Sequence, residues 1–148
     1  MKWKKFSRSE SGAAAIEFAV IGAFLCMTVV ATGDLGMGFY SYMQVQNSAQ
    51  AGAQYAAVHG FNSAQIASAV TNATSVPGIT ASPAPAQYCG CASGATVSNA
   101  ACGTTCPDGM TAGTYVTASA VRDYTTLVSW PMFPASYHQT ATSTVRIQ

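Results

Sequence analysis

Ser9-Glu10-Ser11-Gly12-Ala13-Ala14-Ala15-Ile16-Glu17-Phe18-Ala19-Val20-Ile21-Gly22-Ala23-Phe24-Leu25-Cys26-Met27-Thr28-Val29-Val30-Ala31-Thr32 opens as a polar hinge and then turns apolar. From Ala13 to Thr32, twenty residues carry one charge, Glu17. A helix of that length spans roughly 30 Å at about 1.5 Å per residue, the thickness of a bilayer's hydrocarbon core. Lys2, Lys4, Lys5 and Arg8, four of the six basic residues, precede the run. That asymmetry predicts an N-terminus in the cytoplasm and the remainder outside. The expected layout is a basic leader over 1–12, a transmembrane helix over 13–33 and an extracytoplasmic α+β domain over 34–148.

Glu17 is the costly residue. A carboxylate at the centre of a membrane helix costs about 3 kcal/mol on insertion scales, less near an end. It either snorkels to the headgroups from the first helical turns or pairs with a cation. A cut between Gly12 and Ala13 would create that cation, the α-amino group of Ala13. It would lie four residues before Glu17, one turn away on the same face. A carboxylate in the first turn also suits the positive end of the helix dipole.

Gly12, four small or apolar residues, then Glu17-Phe18 resembles a type IV prepilin processing site. Arg8 to Ala19 is similar to the N-terminus of the TadE family, pseudopilins of the tight-adherence (Flp) pilus system. The resemblance covers about the first forty residues and leaves out the cysteine-rich part of the chain. It implies cleavage after Gly12 by a prepilin peptidase on the cytoplasmic side of an inner membrane. It implies that Glu17 and Phe18 stand at the subunit-pairing positions. The implied partners are the lipid bilayer, the peptidase, other pilin or pseudopilin subunits and the pilus assembly machinery. No cofactor, metal or catalytic residue is implied.

Composition narrows the classes. Charged residues are 7% of the chain, against about 25% in ordinary soluble domains. Between Arg8 and Arg122 there is no lysine or arginine, so a nucleic-acid surface, which needs clustered cations, is not expected. Without residues 1–12, Arg122 and Arg146 stand against Glu17, Asp34, Asp108 and Asp123, a side-chain sum of −2. An ordinary secretory signal cleaved near Ala31-Thr32-Gly33 is the competing reading. It leaves Glu17-Phe18 unexplained.

Helical periodicity resumes beyond Asp34, although Gly33, Gly36 and Gly38 weaken it, each by about 0.5–1 kcal/mol relative to alanine. Leu35, Phe39, Tyr42, Gln46, Ala49, Ala53 and Ala56 recur in steps of four and three, which predicts one packed face and a helix to about Val58. His59-Gly60 ends it. Asn62 then caps a second helix, with Gln65 at the capping-box position and Phe61 and Ile66 placed as a staple. Ile66, Val70 and Ala73 give it a thin stripe, and Val76-Pro77-Gly78 stops it. From Thr114 the composition turns to β. Two runs, Tyr115 to Val128 and Tyr137 to Ile147, are expected to pair antiparallel across Trp130-Pro131-Met132-Phe133-Pro134. A third strand is expected within 86–97.

Cys89, Cys91, Cys102 and Cys106 fall in a glycine- and serine-rich stretch read as a loop. An even count in an exported chain reads as disulfides, here two bridges between the early and late pairs. Zinc is the rival, and C-x-C fits its ligand spacing poorly. Cys26 reads as a small packing residue. His59 and His138 each stand alone in the sequence. Arg122 and Asp123, adjacent in a strand, point to opposite faces. No nucleophile motif, phosphate loop or acidic dyad appears, so a structural role is expected. The alternative is a membrane-anchored binding or adhesion module that never enters a pilus.

Overall fold

The computed structural model describes residues 10–129 and 134–148, with side chains from Gly12 onward. The elements are α1 (Glu10–His59), α2 (Ser63–Thr71), β1 (Ala86–Ser93), β2 (Thr96–Asn99), β3 (Gly113–Thr125) and β4 (Ser136–Arg146). The fold is α+β: a long apolar N-terminal helix, a short second helix and a small antiparallel sheet. The chain divides into two compact units, Met1–Met37 and Gly38–Gln148.

In the N-terminal unit, α1 begins at Glu10, ahead of the Gly12–Ala13 bond. An acidic residue in the first turn favours that start through the helix dipole. The helix assignment runs through Gly33, Gly36 and Gly38 without a break. It stops at Gly60, whose φ of +76° suits a residue without a Cβ and whose N–H closes the helix on the Ala56 carbonyl at 2.9 Å.

In the C-terminal unit the sheet order is β2-β1-β3-β4, every neighbour antiparallel. The expected β3–β4 pairing holds in one unbroken register from Tyr115↔Arg146 to Thr125↔Ser136. The third strand is β1. The short polar β2 was not expected, and with β1 it puts part of the cysteine-rich stretch in the sheet instead of a loop. The core is Val45, Ala49, Ala53 and Ala56 of α1, Ile66 and Val70 of α2, Ile79, and Val116, Ala118 and Ala120 of β3. Full burial of Ile66 and Val70 is worth roughly 2 kcal/mol each.

The packed face of α1 in this unit differs from the expected one. Ala49, Ala53 and Ala56 are buried, but Phe39, Tyr42 and Gln46 are exposed, and Ser41, Val45, Ser48 and Gly52 take the inner positions. The reason is close approach. A Cβ on Gly52 would lie 2.4 Å from Val70 Cγ2 and 3.0 Å from Ala118 Cβ. At that separation only small side chains fit, so the large ones turn outward.

Asn62 caps α2 as expected, accepting the Gln65 N–H at 3.2 Å. The Gln65 side chain does not complete a capping box. Its Oε1 accepts a 2.7 Å bond from the Tyr55 hydroxyl and ties α2 to α1. Ala73 lies beyond the helix and is exposed, so the stripe is Ile66 and Val70 alone.

Candidate functional site

The first candidate surface is the N-terminal part of α1. Every described residue from Gly12 to Val30 is exposed except the half-buried Gly22. Ile16, Phe18, Phe24 and Val29 expose 69%, 78%, 67% and 71% of their surface. A helix this apolar around its whole circumference is stable only among lipid tails or other apolar helices. Its few polar groups are arranged for such surroundings. Thr28 Oγ1 donates to the Leu25 carbonyl and Thr32 Oγ1 to the Thr28 carbonyl, each at 2.8 Å. Those hydroxyls are therefore satisfied without water. Residues 12–59 contain a segment long and apolar enough to cross a membrane.

Glu17 is exposed on this helix and enters no ion pair among the described residues. Ala13 lies one turn before it on the same helix. Phe18 is adjacent and projects outward. Gly12 has no atom within 4 Å of where a Cβ would stand. The Gly12–Ala13 bond falls in the first turn of α1, where the N–H groups have no partner within the helix and the backbone frays most readily. The leader before Glu10 lies outside the described residues, as do Trp130 and Phe133.

The second candidate surface is the disulfide-bonded end of the C-terminal unit. Cys89 joins Cys102 and Cys91 joins Cys106. Each bridge links an early to a late cysteine, and zinc is overturned because all four thiols are consumed. The C-x-C spacing explains the pairing. On β1 it places Cys89 and Cys91 on one face, so both reach the same overlying segment. That segment ends in a tight turn, with Gly109 N–H on the Cys106 carbonyl at 2.9 Å and Met110 N–H on Asp108 Oδ1 at 3.1 Å. Met110, just past the turn, accepts the Cys106 N–H on its carbonyl at 2.7 Å and stands 59% exposed.

His138 is not alone. It faces Asp123 across the β3–β4 ladder, Nδ1 to Oδ1 at 2.7 Å, on an exposed face. The hairpin register would have revealed this pair; the linear spacing does not. Arg122 turns to the opposite face, as its strand position requires. His59 stacks on Tyr55 with ring centroids 4.3 Å apart. Among the described residues no group of three or more His, Cys, Asp or Glu side chains is placed to hold a metal ion.

The chain thus holds an exposed apolar helical stretch, Gly12 to Val30, with one carboxylate, and a small disulfide-bonded domain. The comparison with known families bears on the first of these. The TadE-like protein family model matches residues 12–54. The match begins at Gly12, covers the exposed apolar stretch with Glu17 and Phe18, and ends within α1 at Gln54, before the sheet. No curated protein and no solved structure matches the chain.

Proposed function

We propose that this chain is a pseudopilin acting in assembly of a tight-adherence (Flp) pilus, with a structural and not a catalytic role. The observation that carries this reading is the TadE-like match over residues 12–54, set on a helix whose first half is apolar and exposed. In this reading residues 1–12 are a leader that prepilin peptidase removes after Gly12. Residues 13–33 cross the inner membrane with the N-terminus cytoplasmic, and residues 34–148 stand outside.

The mechanism follows from charge. Cleavage frees the Ala13 amine. Glu17 then pairs with the amine of a neighbouring subunit as the helix leaves the bilayer, and Phe18 packs beside the pair. Two opposite charges buried together among apolar helices are tolerated, while either alone costs several kcal/mol. The pair therefore sets the register at each addition.

The test is the intact mass of the protein from native membranes. The expected chain begins at Ala13, and Gly12→Leu leaves the full-length chain. A chain beginning at Thr32 or later would mean that ordinary signal peptidase acts instead. Co-purification with pilus filaments or assembly proteins separates the pseudopilin from an anchored adhesion module.

A further inference from the structure

The sheet of the Gly38–Gln148 unit ends in β2 on one side and β4 on the other, and among the described residues no strand pairs with either outer edge. Long free edges are normally protected by charge, proline or a bulge. β4 has none of these along its centre. Its register with β3 is continuous over its whole length, and Gln139 to Val145 carries no charge and no proline. β2, Thr96-Val97-Ser98-Asn99, is equally uncharged.

A hollow of about 350 Å³ runs beside the β4 edge. On one side it is lined by Tyr42, Gln46 and Gln50, a single line along α1; on the other it touches Thr140, Ala141, Thr142 and Ser143. Successive strand residues point to opposite faces, so a hollow that meets four in a row lies at the strand's edge. Apart from Ala141, every residue that lines it carries a hydrogen-bonding side chain.

Strand direction selects the occupant. β1 is antiparallel to β2 and to β3, and β3 is antiparallel to β4. β4 therefore runs with β1, and β2 runs against both. A second copy displaced across the sheet without reversal offers its β2 antiparallel to β4, the more stable pairing. Pairing β4 with β4 would need a twofold axis normal to the sheet, which reverses the α1 segment packed on that sheet. That arrangement also closes at two copies and leaves both β2 edges unpaired, whereas β4 on β2 pairs one edge of each kind.

We propose that β4 pairs with β2 of a second copy, extending the sheet from subunit to subunit. Of the registers that keep like faces together, the one centred on the hollow sets Thr96 against Ser143, Val97 against Thr142, Ser98 against Ala141 and Asn99 against Thr140. These are short uncharged side chains, with Thr–Ser and Asn–Thr pairs able to hydrogen-bond across the strands. The contact is head-to-tail and open-ended. Four residues a side are too few to hold free molecules together. The pairing forms where a shared bilayer or fibre raises the local concentration, and to that extent it rests on the pseudopilin reading.

The test uses the full chain in native membranes. Both copies carry Cys26→Ser, because Cys26 is a free, exposed thiol; one also carries Asn99→Cys and the co-expressed other Thr140→Cys. Mild oxidation is expected to yield a covalent dimer only when both are present, and adding Thr142→Lys to the second copy is expected to abolish it. Peptide masses showing the Cys89–Cys102 and Cys91–Cys106 bridges establish that the copies are folded. A second pair, Val97→Cys with Thr142→Cys, serves if either variant fails that check. No mixed dimer between folded copies, or an equal yield from Thr140→Cys copies alone, overturns the pairing. Pili that contain the chain without the cross-link would remove the pairing and keep the pseudopilin reading. A cross-linked chain that never accompanies pili would do the reverse.

Discussion

Arg122 Nη1 donates a 2.7 Å hydrogen bond to Ser41 Oγ, which donates in turn to Gln139 Oε1 at 2.6 Å. Gln139 Nε2 completes the chain on the Gly38 carbonyl at 3.0 Å. Ser41 thus accepts from β3 and donates to β4, fixing α1 to both. Ser48, two turns further on and fully buried, has a hydroxyl with no partner among the described residues. The same substitution should therefore act in opposite senses at the two sites. Ser41→Ala strands two partners and is expected to destabilise the C-terminal unit by about 1–3 kcal/mol. Ser48→Ala removes an unpaired buried hydroxyl and improves helix propensity, so stability should hold or rise by up to about 1 kcal/mol. Urea unfolding of the full chain in detergent, followed by near-ultraviolet circular dichroism, measures both. Equal losses at the two positions would refute the network.

Gly52→Ala is the sharpest test of the helix–sheet contact. Its new methyl meets the branched Val70 and the Ala118 methyl, neither of which can swing aside. A loss of roughly 1–3 kcal/mol is expected from overpacking. Val70→Ala, costly alone, should recover part of it in the double variant, because the two changes share one space. Strict additivity in that cycle would place the strain elsewhere.

That contact also marks what the sequence could and could not convey. The spacing of Ala49, Ala53 and Ala56 carried the helix face, and the threonine-rich alternation from Tyr137 to Ile147 carried the hairpin. Phe39, Tyr42 and Gln46 misdirected the upper part of the face. Large side chains usually mark the buried side, but here the sheet comes too close for them. β2 was invisible because four residues, three of them polar, hold too little pattern. The Asp123–His138 pair required the register, a tertiary fact. Glu17 stood out as the lone charge in a twenty-residue apolar run, and Phe18 only through the motif it completes.

The two disulfides should open in order. Cys102 is exposed, whereas Cys91 and Cys106 are 9% and 7% exposed. Thiol–disulfide exchange needs access to a sulfur, so mild reductant should open Cys89–Cys102 first. Differential alkylation with peptide mass analysis reads the order, and prior opening of Cys91–Cys106 would contradict it. Removing either bridge by paired Cys→Ser substitution releases a closed loop, with sequence separations of 13 and 15, and should cost roughly 3 kcal/mol in the chain-entropy model.

Glu17→Gln separates the role of the charge from that of the shape. Glutamine is cheaper to hold in lipid, so membrane insertion should survive or improve. The C-terminal unit should fold unchanged, because Glu17 is exposed and enters no ion pair among the described residues. Cleavage after Gly12 should proceed, since the scissile bond is untouched. What should fail is recognition between subunits. The neighbour's Ala13 amine would be left unpaired among apolar helices, at a cost of several kcal/mol. A penalty of that size, repeated at each addition, is enough to stop incorporation. The expected result is a stable, processed, membrane-bound protein in cells that assemble pili poorly. Replacing the wild-type chain with the variant, then comparing processing, membrane level and surface pili, makes the measurement. Glu17→Asp, which keeps the charge on a shorter arm, should restore part of the piliation. Normal piliation by a correctly cleaved Glu17→Gln protein would show that the carboxylate merely snorkels to the headgroups and plays no part in pairing.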